Sequence, residues 1–263
     1  MQNNKHHKPK NTLKVAATSL FLLMFIASTA VLFIQNVPKA ITREDRNYIE
    51  KILTQNGTDI AKLKQDALKD FTNEIRTIRT VQSSAFITAP KVELIPYRHE
   101  REPKDLFTTD AAYCGDRARY IDKALRYLGF DTRYASLYQN RPQRSFLSTI
   151  LTKTSTDDVD SHALVEVKTS KGWLIVDTRR HWISLSAAMQ PISLRALRDK
   201  QLSYFEWSYN QEESWPLLDE NYYIIYELYS RHGLFYAPYT KYIPDIHWPG
   251  FIKHNFRQFF APR

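Results

Sequence analysis

The chain has 263 residues, 43% hydrophobic and 25% charged, enough for one ordinary globular core plus an appendage and too apolar for a disordered protein. Its net charge of +9 is partly local, because Lys5, Lys8, Lys10 and Lys14 fall in the first fourteen residues and about +5 remains on the rest. There is one cysteine, no zinc-spaced set, no Gly-rich phosphate loop and no basic run interleaved with aromatics, so no metal, no cofactor and no nucleic-acid partner is expected.

Val15 to Ile34, VAATSLFLLMFIASTAVLFI, carries no charge over twenty residues, about the length a helix needs to cross hydrocarbon. The spacing predicts a single transmembrane helix over 15–34, with 1–14 as a cytoplasmic tail and the remainder extracytoplasmic, periplasmic if the source is bacterial. Ser28-Thr29-Ala30 resembles a cleavage site, but the apolar run continues through Ile34, which favours an uncleaved signal-anchor.

From about 43 to 81, Ile60, Leu63, Ala67, Phe71, Ile75 and Ile78 recur at helical spacing, with a break at Asn56-Gly57-Thr58-Asp59 and Thr58 or Asp59 as the cap of a second helix. Residues 35–90 therefore read as a helical stalk that packs on the following domain. Because that pattern restarts only after Pro38, the chain beyond residue 38 is expected to fold without what precedes it. Val92 to Pro103 reads as an extended connection.

A well-marked helix follows, in which Ala118, Ile121, Ala124, Leu125 and Leu128 share one face and Asp116, Arg119, Asp122, Lys123 and Arg126 the other, with Gly129 at its end. Thr109 or Asp110 would cap it. Cys114 lies near its start, where unpaired N–H groups and the macrodipole favour thiolate. A free cysteine is often only a small buried hydrophobe. In an oxidising compartment, however, a thiol that has no internal partner needs a use or a shelter, catalytic or as an intermolecular disulfide.

Phe130 to Tyr138 reads as a strand, and the polar stretch to Asp160 as a loop or insertion. His162–Lys168 and Trp173–Asp177, joined by Thr169-Ser170-Lys171-Gly172, form a predicted hairpin. With Ser170-Lys171 as the turn, Thr169 pairs with Gly172 and Leu164 with Asp177, which makes His162 and Asp177 diagonal neighbours on one face, about 7–8 Å apart in the backbone. From Tyr204 to Phe260 more than a quarter of positions are aromatic. Either a core or lid, or a surface that stacks on sugars or partners, accounts for them. Asn221 to Leu228 reads as a helix and Pro238 to Pro249 as an extended wrap. His181, His232, His247 and His254 read as packing or solvent residues.

A thiol attacking an amide needs a base that later protonates the leaving amine. His162 suits that role, Asp177 can orient the imidazole, and the backbone N–H of Cys114 is one donor for the oxyanion. No second donor is identified.

Tyr113-Cys114-Gly115-Asp116-Arg117-Ala118 with Leu125–Tyr134, then Ser161–Val167, then Gly172–Thr178, resemble in order and spacing the three core motifs of the transglutaminase-like superfamily. The resemblance implies a papain-like α+β fold, a Cys-bearing helix packed on an antiparallel sheet, with Cys114 as nucleophile, His162 as base and Asp177 as orienting acid. It covers roughly residues 110–180, inside an expected core at 91–200 that an aromatic extension follows at 201–263. Where the family usually has glycine, an aromatic and proline, this chain has Ala112, Ala163-Leu164 and Thr178. The expected function is extracytoplasmic acyl transfer at an amide of a protein, a peptide or the cell wall, by hydrolysis or transamidation. The alternative is a catalytically silent module of the same fold that binds polysaccharide, peptidoglycan or a protein.

Overall fold

A computed structural model describes residues 10–34, 36–139, 161–186, 188–199, 222–240 and 243–260; the expected loop at 140–160 lies outside them. The first helix, α1, covers Lys10–Ile34, and its side chains from Leu20 to Ile26 are more than half exposed. Among the described residues no helix is long and apolar enough to cross a membrane. The expected span at 15–34 falls partly on side chains outside them.

Asn36 to Lys39 form a strap laid into the domain. Val37 is buried and donates its N–H to Ile246 O at 2.9 Å, while Asn36 Oδ1 accepts from Trp248 N at 2.9 Å and Arg119 Nη2 reaches Pro38 O at 2.7 Å. The folded body therefore includes residues 36–38, an extended strap that helical periodicity does not register.

Helix α2 (Arg43–Gln55) starts on a Thr42–Asp45 capping box and buries Ile49, Ile52 and Leu53. The expected second helix is two: α3 (Ile60–Asp66), capped by Asp59, and α4 (Phe71–Thr88), capped by Asp70, whose carboxylate accepts from Asn73 N. After α4 the connection contains a further helix, α5 (Pro103–Thr109), with proline at its first position. Helix α6 (Cys114–Tyr127) begins later than expected: Tyr113, not Thr109 or Asp110, is its N-cap residue.

Strands β1 (Asp131–Gln139), β2 (Ser161–Thr169), β3 (Gly172–Val176) and β4 (Tyr222–Tyr226) form one antiparallel sheet in the order β3-β2-β1-β4. The β2–β3 hairpin has the register that its turn dictates, Thr169 opposite Gly172 and Val165 opposite Val176. Its tip is tied down by Glu74 of α4, which accepts from Ser170 N and Oγ. Helix α6 packs between this sheet and α2, α4 and α5, so the architecture is α+β with a central Cys-bearing helix. On the far side of the sheet, Leu137, Leu164, Ile175, Ile224 and Tyr226 pack under Trp182, Ile192 and a short helix, α7 (Leu194–Arg198).

Two readings of the C-terminal third are corrected. The helix expected at 221–228 is not found over its described residues, 222–228: Tyr222–Tyr226 pairs with β1, Tyr138 opposite Tyr223, because its β-branched and aromatic side chains suit a pleated surface buried on both faces. The expected extended wrap at 238–249 supplies β6 (Asp245–Ile246), which pairs with β5 (Leu228–Ser230) outside it, and at Trp248 it turns into α8 (Trp248–Phe260), with Pro249 in its first turn. Tyr222, Tyr226, Tyr229 and Tyr236 are all buried, which makes these four aromatics core residues.

Candidate active site

Cys114, the first residue of α6, and His162, the second of β2, meet where the helix start faces the strand start. The start of α6 is held by Asp116, whose Oδ2 accepts from Tyr113 N at 2.8 Å while Oδ1 takes a buried ion pair from Arg101. Arg101 also donates to Ile95 O and lies 3.7 Å over the Phe235 ring, pinning the 95–101 segment beside the thiol. Burial pushes the Asp116 carboxyl up, against the pull of Arg101.

His162 is 2% exposed, and its Nε2 lies 3.1 Å from Asp177 Oδ1. The same ring hydrogen-bonds the Cys114 thiol, which leaves Nδ1 as the nitrogen facing sulfur. Burial alone would hold the imidazole neutral, but the Asp177 charge and hydrogen bond, together with the thiolate, push His162 up to about 9. Burial alone would likewise raise the Cys114 thiol. His162 beside it, by hydrogen bond and by charge, and the Ala163 N–H hold it below its ordinary value. Both shifts favour the thiolate–imidazolium form of the pair over thiol and neutral ring.

Asp177 stands one residue past β3, in a loop fixed from three directions. Its Oδ1 also accepts from Arg179 N at 2.7 Å, its backbone N–H donates to Trp182 O, and its carbonyl accepts from Gln82 Nε2 at 2.8 Å. Gln82, on α4 and 1% exposed, also reaches Arg180 O at 3.1 Å and Trp182 O at 2.8 Å. Arg117 Nη2 donates to Ala89 O at 2.7 Å, with Nη1 3.4 Å from Thr178 O. Thr178, standing where the family usually has proline, uses its hydroxyl to hold Ala163 O beside His162. None of Gln82, Arg101 and Arg117 was singled out from the sequence, since each acts through contacts made across the fold. Glu166, between two motif residues, is fully buried on the sheet's other face and saturated by Arg133, Leu194 N and Tyr226 Oη.

Cys114 is half-buried and borders a cavity of about 200 Å³ whose lining includes Tyr113, Gly115, Tyr134, His162, Arg231 and Phe235. His181, His232 and His254 lie against Phe86, Tyr97 and Tyr226, and His247 Nδ1 meets Val37 O; His181 and His232 are exposed, and His232 also lines the cavity. Among the described residues no cluster of His, Cys, Asp and Glu could hold a metal ion.

Such an arrangement can ionise a thiol, hold the proton on the adjacent ring and deliver it to a leaving group. No curated protein and no solved structure matches the chain. Residues 61–178, which run from α3 to one residue past Asp177 and so take in Cys114, His162 and Asp177, match the family model of the transglutaminase-like superfamily.

Proposed function

We propose that the protein is a thiol enzyme that transfers an acyl group from an amide, with Cys114 as nucleophile, His162 as base and acid, and Asp177 as the carboxylate that orients the ring. The observation that carries this reading is the continuous chain from thiol to imidazole to carboxylate, with the thiol at a cavity wall. The Cys114 thiolate attacks the carbonyl carbon, and the resulting oxyanion takes a hydrogen bond from the Cys114 N–H at the helix start. Imidazolium then gives its proton to the leaving amine, and the acyl-thioester passes to water or to a second amine. Water is the preferred acceptor, because transfer to an amine requires its exclusion and Cys114 is only partly buried. The substrates are protein, peptide or cell-wall amides.

The same reading places the domain outside the cytoplasm on a membrane anchor, supported by the uncharged run at 15–34 inside α1. Membrane fractionation tests it: retention in the pellet through a carbonate wash is expected, and release in the wash argues against an anchor.

Iodoacetamide tests the chemistry. Alkylation of Cys114 is expected to stay fast well below the ordinary thiol pKa of about 8.5, and His162→Ala to remove most of that low-pH rate. A profile unchanged in His162→Ala rules the thiol enzyme out in favour of a silent module of the same fold.

A further inference from the structure

We infer that Tyr134 supplies the second hydrogen bond to the oxyanion, opposite the backbone N–H of Cys114; the assignment rests on the thiol-enzyme reading above. Tyr134, in the middle of β1, is 1% exposed, and its ring is held against Tyr229 at 4.4 Å between centroids. Its Oη stands 3.3 Å from where a Cβ on Gly115 would be, beside the first turn of α6 and one residue from the nucleophile. Any side chain at position 115 would crowd that oxygen, so glycine there keeps it open to the cavity.

Among the described residues Tyr134 Oη takes no hydrogen bond, and it is not sealed in protein either, because the residue borders the same cavity as Cys114. A hydroxyl kept at the wall of a site without a partner costs stability that a partner arriving with substrate would return. Burial, and after it the negative charge of the Cys114 thiolate, push the phenol well up, so it remains a donor throughout the working pH range. Tyr138 also borders the cavity but is engaged by Ser136 and Arg231.

In the step concerned, the Sγ–C bond forms as the carbonyl π pair moves onto oxygen, which accepts from Cys114 N–H and Tyr134 O–H. The tetrahedral species then restores C=O as the leaving group departs with the proton from His162. Tyr134 keeps its proton throughout and serves as a fixed dipole, preorganised by the Tyr229 stack.

The test separates nucleophile from oxyanion, because alkylation by iodoacetamide develops no oxyanion while acylation by p-nitrophenyl acetate does. Tyr134→Phe keeps the ring and its stacking. Its acylation rate is expected to fall by about 10²–10³-fold, with the alkylation rate against pH and the near-ultraviolet circular dichroism unchanged. Acylation that is indifferent to Tyr134→Phe overturns the assignment. Equal losses in acylation and alkylation also overturn it, since Tyr134 would then act on the thiol. A wild-type thiol that alkylates no faster than free cysteine brings down the thiol-enzyme reading itself, an outcome visible before any variant is made.

Discussion

Two of the polar groups buried along helix α6 are built differently. At its start, the Cys114 thiol and the His162 ring share one contact in which each favours the other's charged form, and Cys114 borders a cavity. Two turns on, Lys123 Nζ lies 2.8 Å from Asp45 Oδ2 and 2.6 Å from Glu102 Oε2, and Arg119 Nη2 lies 2.7 Å from Glu102 Oε1. Arg119 Nη2 and Arg126 Nη1 also cap the carbonyls of Pro38 and Lys39. The second group has its charges answered on several sides, from α2, α5 and the strap, and it holds the helix in place. The first leaves one side of its thiol open. Buried charge alone therefore does not mark a reactive site; what marks it is a charge with an unfilled approach.

The largest expected effect bears on the reactive group. Asp177→Asn should lower turnover by on the order of 10⁴-fold with the fold intact, because an amide there favours the wrong imidazole tautomer; single-turnover acylation and circular dichroism measure it. The same variant sharpens the pH dependence. With His162 pushed up to about 9, imidazolium is present below that pH and lost above it, so wild-type turnover should fall on its alkaline side near about 9 while alkylation, which needs only thiolate, does not. Removing the Asp177 charge should move that limb to lower pH. A limb that stays in place separates the carboxylate from the imidazole.

Next in size is the structural group. Lys123→Met should destabilise the protein by about 3–5 kcal/mol in urea unfolding, because Asp45 and Glu102 lose a shared cation in a buried setting. The folded fraction should alkylate as the parent does. Loss of alkylation in folded Lys123→Met would break the division between the two groups.

A smaller effect is expected when the strap is cut. Starting the chain at residue 39 instead of 36 removes the buried Val37 side chain and its bond to Ile246 O, and should cost about 1.5–3 kcal/mol from apolar burial. Equal melting of the two chains would show that the strap carries no stability. Smallest is Gln82→Leu, expected to cost about 1–3 kcal/mol by leaving the carbonyls of Asp177 and Trp182 short of a donor. A modest loss of turnover should accompany it, and turnover equal to the parent's would deny Gln82 any part in positioning Asp177.

Much of the site's frame is local and therefore legible in the chain. Cys114 at a helix start, β1 after Gly129, and the hairpin register relating His162 to Asp177 follow from periodicity and turn residues, because each is set by neighbours within about twenty positions. The α+β class came instead with the resemblance of the three motifs to the transglutaminase-like superfamily. What the tertiary structure decided is which polar side chains are spent and which are left open. Arg119 and Lys123 stand on the charged face of an amphipathic pattern, the usual sign of a solvated face, yet they are buried because α2, α5 and the strap bring carboxylates and carbonyls to them. Residues 222–226 have side chains that suit a strand, but their partner is the edge that β1 presents more than eighty positions earlier in the chain, a pairing that local pattern does not reveal. Gln82 and Tyr134 have no local signature at all. Each gained its place only when α4 met the loop after β3 and β1 met the first turn of α6, since a hydrogen bond or an oxyanion donor depends on ångström-scale approach that sequence spacing does not encode.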